Sequence, residues 1–556
     1  SITNTDDTAS SEITGVIADD GDAAVLTKAG TGTLTLSGDN IYTGATTVSV
    51  GTLKVTADDA LGTTAAGTTV ASGATLDFAN VTYLTTEAVT VDGGTISTST
   101  ETSSFAGAIT LGTHSIFDID GRQLTVSGNV TDGGNIYNID KTGTGILVLS
   151  NTTNSYTGTT DISAGTLTVT GSLNSGTYNS NITNEGAFIY NSTSDQTLGG
   201  VISLTGTLEK AGSSTLTLSG TNTYSGDTTI SAGIIAISDA DALGNDSGTR
   251  GTTTVDSGAA LYISGGITVA EPINISGTGI SLGGAIRFTA NNNTYSGAIT
   301  LGATATIVSN SGQQTISGTI NGSNDNTEAL TITANDNLTI SGAVGGIADK
   351  QLSTLDITTT ETGVLTLSNN ITTDNDQTYT AAGGVLLGAN VTLTATSSDI
   401  LFSGTASTLD SSDATARDLT VAASQIEFDG AVGGANGLND IGITGALILD
   451  AAITDAATLT VSTTSDLGAN VTTSGAQQYD GAVTLSADVI LTTTDNDATF
   501  GSTIDSDSTA RDLTLTLGSG SASVTGIVGT TALDVLTLNS SSSFTAAVTA
   551  SSIVNA

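Results

Sequence analysis

Residues 28–62 read KAGTGTLTLSGDNIYTGATTVSVGTLKVTADDALG. The phrase returns at 141–169 as KTGTGILVLSNTTNSYTGTTDISAGTLTV and at 210–244 as KAGSSTLTLSGTNTYSGDTTISAGIIAISDADALG. Each copy runs from a lysine through a glycine-rich turn, an alternating strand, Tyr-(Ser/Thr)-Gly, a second strand, Ala/Val-Gly and a third strand. A phrase that recurs this way specifies one small unit stacked on copies of itself.

The spacing around the first copy gives the stacking. Strands of one type lie at Val48/Val50, Val70, Val89/Val91 and Ile109/Leu111, stepping by 22, 19 and 20 residues. The strands that follow them lie at Leu53/Val55, Leu76/Phe78, Ile96 and Ile116, stepping by 23, 20 and 20. Two strand families therefore advance together, which an up-and-down meander has no reason to do. The expected fold is all-β: a parallel β-helix, or β-solenoid, with roughly 20–25 residues per coil and two or three short strands in each. Alternate Val, Leu and Ile point inward and the intervening Thr and Ser point out. One coil gains roughly 10 kcal/mol from about six buried aliphatics, and ordering it costs at least as much, so only the stack is stable. Stacked at ~4.8 Å, about 25 coils would make a rod of ~120 Å.

The second half uses another repeat. After residue 330 the lysine phrase is gone, and Gly342-Ala-Val-Gly-Gly346 recurs as Gly430-Ala-Val-Gly-Gly434 and loosely at Gly526-Ile-Val-Gly529. Arg417-Asp-Leu-Thr recurs at Arg511, and Tyr379 of a Gln-Thr-Tyr recurs at Tyr479. The expected organisation is a lead-in coil over 1–27, a solenoid with the lysine phrase over 28–330, and its continuation over 331–556 with repeats of about 90–100 residues.

Composition narrows the partners. Among 556 residues, 53 acidic groups face 10 basic ones, for a net charge of −43. The basic residues form no tract, which argues against nucleic acid and anionic lipid surfaces and leaves divalent cations and cationic surfaces open. There is no Cys, so disulfides and thiolate metal sites are excluded. There is no Met, so the sequence reads as a mature or excised segment. No run of ~18 apolar residues offers a transmembrane helix.

The three phrases resemble the passenger-associated transport repeat of bacterial autotransporters. The residues that carry the likeness are Gly32, Leu34, Leu36, Tyr42, Gly44, Gly51 and Leu53 in the first copy. Gly145, Leu147, Leu149, Tyr156, Gly158, Gly165 and Leu167 carry it in the second, and Leu216, Leu218, Tyr224, Gly226 and Gly233 in the third. The Tyr379 and Tyr479 segments look like repeats of giant haemagglutinin-type surface proteins. These resemblances imply a right-handed β-helix that is secreted to, or shed from, the bacterial surface. They also imply that the repeat serves export and folding and carries no chemistry. Anchoring would fall to a segment outside this chain.

Several residues invite a functional reading. Tyr42, Tyr156, Tyr224 and Tyr295 precede Ser/Thr-Gly, either as aromatic platforms for sugar or as packing over a corner. Oxygen-rich turns at Asp19-Asp20-Gly21-Asp22, Asp118-Ile-Asp120, Asn324-Asp325-Asn326, Asp374-Asn375-Asp376 and Asp495-Asn496-Asp497 could hold Ca²⁺ or be solvated Asx turns. The Ca²⁺ candidates are Asp118, Asp120, Asp374, Asp376, Asp495 and Asp497, and no other cofactor is expected. His114, the sole histidine, has no nucleophile elbow beside it. No catalytic residue stands out.

The expected function is an extracellular structural or adhesive β-solenoid, an autotransporter-like passenger or adhesin stalk, without enzymatic activity. The alternatives are a self-assembling surface-layer, sheath or matrix-fibre subunit and, third, a polysaccharide-degrading β-helix enzyme. Expected partners are other copies of the chain or neighbouring cell-surface and extracellular polymers.

Overall fold

A computed structural model describes residues 1–7, 9–244, 251–323 and 326–555. Arg250 and the Asn324-Asp325 part of one acidic turn lie outside the described residues. Apart from two short 3₁₀ turns, Asn174–Gly176 and Ile280–Leu282, the regular structure of the described residues is β-strand. The chain forms two compact units, Ser1–Tyr262 and Ile263–Ala556. The lysine phrases lie in the first and the longer repeats in the second.

In the first unit, strands pair in parallel with the strand one coil further along. One ladder runs through Leu26–Lys28, Thr46–Val48, Thr68–Ala71, Val89–Asp92 and Ile109–Leu111. A second runs through Thr33–Leu36, Gly51–Val55, Ala74–Phe78, Thr95–Thr98 and Ser115–Ile119. A third side begins at Thr82–Tyr83 and continues through Thr102–Phe105 and Gln123–Val126. Coils thus carry two or three strands, and the sequence period is the circumference of one coil.

The register refines the sequence reading at three places. Val70 pairs with Val91, not Val89, and Val91 pairs with Leu111, so that ladder steps by 22, 21 and 20 from Val48. Ile96 pairs with Phe117, which is buried, while Ile116 is 37% exposed. Val50 is not in a strand and is 41% exposed. In each case two apolar residues lie within reach of the same inward position, and hydrophobic period alone does not choose between them.

The core is the stacked inward file. Leu34, Leu53, Leu76 and Ile96 align in register and are wholly or almost wholly buried, as are Leu36, Val55 and Phe78. Burying each aliphatic contributes about 1.5–3 kcal/mol. Phe78, Tyr83 and Phe105 add an aromatic cluster with centroids 4.8–5.8 Å apart. On the outer face of the first ladder, Thr3, Thr27, Thr47, Thr69, Thr90, Thr110 and Thr131 fall in one register file, each the partner of the next. Their hydroxyls therefore recur at the strand spacing of ~4.8 Å.

The second unit is built the same way with other corner chemistry. Leu330–Ala334, Leu355–Thr359 and Gln377–Ala381 stack in parallel and exact alternation of buried and outward residues continues through them. Val344 and Val432 of the two Gly-Ala-Val-Gly-Gly segments are buried and bridge the coils on either side, Ile320 with Ile371 and Leu409 with Ile453. Gly345, Gly433 and Gly529 follow at φ +63°, +74° and +77°, and a Cβ on any of them would lie 2.0 Å from a carbonyl oxygen of the next coil. That close approach is what the longer repeat encodes. Tyr379 and Tyr479 are interior, stacked on Phe402 and Phe500, and each donates its hydroxyl to the glutamine two residues before it, at 2.8 and 3.1 Å.

Candidate functional site

The lysine of each phrase is the residue whose placement departs most from its chemistry. Lys28, Lys141 and Lys210 are fully buried. Each lies at the inward end of a strand and folds its ammonium under the following glycine-rich corner. Lys141 Nζ donates to Thr142 O at 2.6 Å, to Gly143 O at 2.8 Å and to Ala164 O of the next coil at 3.2 Å. Lys28 Nζ donates to Gly30 O and, at 3.3 Å, to Val50 O; Lys210 Nζ donates to Gly212 O and, at 3.3 Å, to Ala232 O. The lysine thus ties carbonyls of two coils together at one corner. Burial lowers all three amines, Lys141 and Lys210 to about 8; Asp118, Asp120 and Asp140 oppose the shift at Lys141, and Asp195 at Lys210.

The tyrosines are interior corners. Tyr42, Tyr156 and Tyr224 are at most 1% exposed and share a hydrogen bond with the threonine four residues on, Thr46, Thr160 and Thr228, at 2.5, 2.9 and 2.7 Å. Tyr295 is buried as well and donates to Glu271 O at 2.7 Å. Burial raises Tyr42 and Tyr156 to about 12. None of these rings offers a face to a sugar.

Sequence reasoning missed the asparagine two residues before each tyrosine, although Asn40, Asn154 and Asn222 occupy it in all three copies. Asn154 Oδ1 accepts Val130 N of the preceding coil at 2.9 Å, and its amide donates to Ser172 O of the next at 3.0 Å. Asn40 spans Ile17 N and Ala60 O, and Asn222 spans Ile202 N and Ala242 O, in the same way. Each is a buried amide bridging three coils.

Asp19 and four of the six calcium candidates, Asp118, Asp376, Asp495 and Asp497, are placed where their carboxylates cap the next coil. Asp118 Oδ1 accepts Thr142 Oγ1 at 2.8 Å, Asp495 Oδ1 accepts Ser519 N at 2.8 Å, and Asp497 Oδ1 accepts both N and Oγ of Ser521 at 2.8 and 2.9 Å. Asp376 Oδ1 accepts Ser398 Oγ and, at 3.3 Å, Asp399 N. Asp19 takes Ala24 N at 2.8 Å and Thr43 through N and Oγ1 at 3.1 and 2.6 Å; its carboxyl is held low first by the Ala24 amide. Asp120 lies close enough to Lys141 to raise its amine, and Asp374 anchors its turn through its own N–H to Leu352 O at 2.9 Å.

Among the described residues, one group of three carboxylates converges, Glu427, Asp429 and Asp450, with oxygens within 4.8 Å of one another. None belongs to the six sequence candidates. Phe428 pairs with Leu449, so Asp429 and Asp450 stack one coil apart, a relation visible only once the coil step is known. Burial first, then the Asp429 and Asp450 charges, raise Glu427. His114 is exposed, accepts Asn138 N at Nδ1 (2.9 Å) and meets Tyr137 edge-on, with no serine or carboxylate among the described residues bonded to it.

The passenger-associated transport repeat model matches residues 26–55, 139–169 and 208–237, the three segments in which the buried lysine, asparagine and tyrosine recur. The chain carries three passenger repeats. Each matched segment is therefore a coil-and-corner module whose shared Lys, Asn and Tyr face inward. Over 258 residues, 40% of its length, the chain is 33% identical to the adhesin BmaC autotransporter of Brucella suis biovar 1 (strain 1330). The matched part is 7% of that protein, so the chain spans a small fraction of the relative's length. No solved structure matches the chain. Among the described residues no helix is long and apolar enough to cross a membrane.

Proposed function

We propose that this chain is a non-catalytic, adhesive β-solenoid segment of a bacterial surface protein exported as an autotransporter passenger. The observation that carries the reading is the coincidence of passenger repeats, whose Lys and Asn are consumed in joining coils and whose Tyr is buried at a corner, with 33% identity to an autotransporter adhesin. The outer surface is left largely to threonines, small residues and acidic corner caps, with exposed aliphatics such as Leu84, Ile136 and Leu282 among them, a surface suited to broad contact with other surface polymers or with copies of itself. An enzymatic reading has less support: the lone histidine is exposed and bonded to a backbone N–H, and the repeat tyrosines are interior.

The test uses bacteria carrying the full-length gene, a version lacking residues 1–556, and a version with that segment replaced by an unrelated solenoid of equal coil number. Surface display is checked by antibody and adhesion is counted on host cells. Deletion is expected to lower adhesion while display persists. Undiminished adhesion after deletion would overturn the reading, as would polysaccharide cleavage by the purified chain that is lost in Glu427→Gln.

A further inference from the structure

Glu87 is 1% exposed in the interior of the first unit. It stands at a corner two residues before the strand Val89–Asp92. In the next coil the equivalent place is Gly107, two residues before Ile109, which pairs with Val89. A Cβ on Gly107 would lie 1.8 Å from Glu87 O, so the two coils close tightly over the glutamate. Its Oε1 accepts the hydroxyl of Thr68 at 3.0 Å, and its Oε2 has no partner among the described residues. The titratable groups facing it are the phenols of Tyr42 and Tyr83. Tyr42 is engaged with Thr46, and the Tyr83 oxygen accepts Leu61 N at 3.2 Å. No cation among the described residues approaches it.

A carboxylate held by a single hydroxyl, beside two phenols and away from water, is a costly ion. The protonated acid is the form this corner accommodates. The arrangement recurs: Glu271-Pro272-Ile273 and Glu328-Ala329-Leu330 repeat the Glu-(Ala/Pro)-apolar corner in the second unit, and both glutamates are buried. A Cβ on Gly297, above Glu271, would lie 2.0 Å from Glu271 O.

We infer that Glu87 is a proton-operated latch: the coil over residues 68–105 closes with its carboxyl protonated and loosens when that carboxyl ionises. Burial raises the Glu87 carboxyl from 4.5 to about 7, with the Thr68 hydroxyl pulling the other way. Between these values the folded coil holds a proton that the open chain has released. Its stability is therefore full below about 4.5 and is lost as pH rises through about 7. A chain folding outside the cell would close this coil more readily in acid than in alkaline surroundings. The latch stands on the geometry of the corner and does not depend on the adhesive reading.

The test is hydrogen exchange of the intact chain at pH 5 and pH 8, corrected for intrinsic exchange rates, on the native sequence and Glu87→Gln. Opening of the segment around residues 68–105 is expected to become on the order of 100-fold more frequent at pH 8 in the native chain. In Glu87→Gln that pH difference disappears, while other coils behave alike in both chains. Equal pH dependence in both chains, or none in the native one, overturns the proposal. Infrared titration of the native chain gives a readout that does not require the variant to fold. Complete carboxyl ionisation by pH 5.5 overturns the latch, and a protonated-carboxyl stretch that persists at pH 6 and is weakened in Glu87→Gln supports it.

Discussion

Lys141 and Gly165 meet across one coil boundary. Lys141 Nζ reaches Ala164 O at 3.2 Å, and a Cβ on Gly165, at φ +67°, would stand 2.9 Å from that nitrogen and 2.5 Å from Gly145 O. Lys28 with Gly51 and Lys210 with Gly233 repeat the relationship at 2.8 and 2.6 Å. The lysine and the glycine are thus two halves of one corner, one supplying the ammonium and the other the space above it.

Gly165→Ala introduces a side chain at positive φ against backbone that has little room to move. The expected cost is about 2–4 kcal/mol, above the ~1 kcal/mol of an ordinary strained glycine site, because contact and torsion add. Urea unfolding followed by limited proteolysis between residues 139 and 190 measures it. A shift no larger than that of Gly133→Ala, an open position with no neighbour within 4 Å of the new Cβ, would sink the corner argument.

The buried lysines give the first unit an alkaline dependence. Lys141 and Lys210 sit at about 8 when folded and at 10.5 when exposed. Over that window the unfolded chain holds more protons, so stability rises with pH from about 8 toward 10.5. Tyr42 and Tyr156, raised to about 12, reverse the trend above about 10 as the exposed phenols ionise. Melting temperature against pH should therefore peak near the top of this range. Lys141→Met should flatten the rising limb while lowering the midpoint overall, since three carbonyls lose their donor.

Asn154→Ala leaves Val130 N and Ser172 O without their side-chain partner. Two buried backbone groups at about 1–3 kcal/mol each predict a loss of about 2–6 kcal/mol. Thr152→Ala, at an exposed position of the same turn, is the control and should cost under about 1 kcal/mol. Equal effects in differential scanning of the two variants would contradict the bridging role.

Calcium is expected to act on this chain through its net charge more than through the Asp turns. Asp118, Asp376, Asp495 and Asp497 already receive donors from the next coil. Ca²⁺ and Mg²⁺ at equal ionic strength should therefore raise the melting temperature alike. A calcium-specific rise that is lost in Asp495→Asn/Asp497→Asn would assign a site there instead.

The coil period, the parallel stacking and the inward aliphatics were legible because each rests on alternation and spacing that the chain repeats many times. The choice between Ile116 and Phe117 was not, since the corner ahead of them holds one more residue than its predecessor and both side chains are apolar. The interior lysines and glutamates were illegible for another reason. Their chemistry points to water, and only the closed coil supplies carbonyls for one and excludes solvent from the other. Asn40, Asn154 and Asn222 were in plain view at a constant offset, but the tyrosine beside them drew the functional reading. Glu427, Asp429 and Asp450 required the register itself.

The file of threonines from Thr3 to Thr131 repeats one hydroxyl at one interval, with nothing to mark any step as special. Whatever fits one step fits the next. A partner engaging such a face would be held by count, not by address: strength would grow with the number of steps engaged, the partner could slide, and no single substitution would remove it.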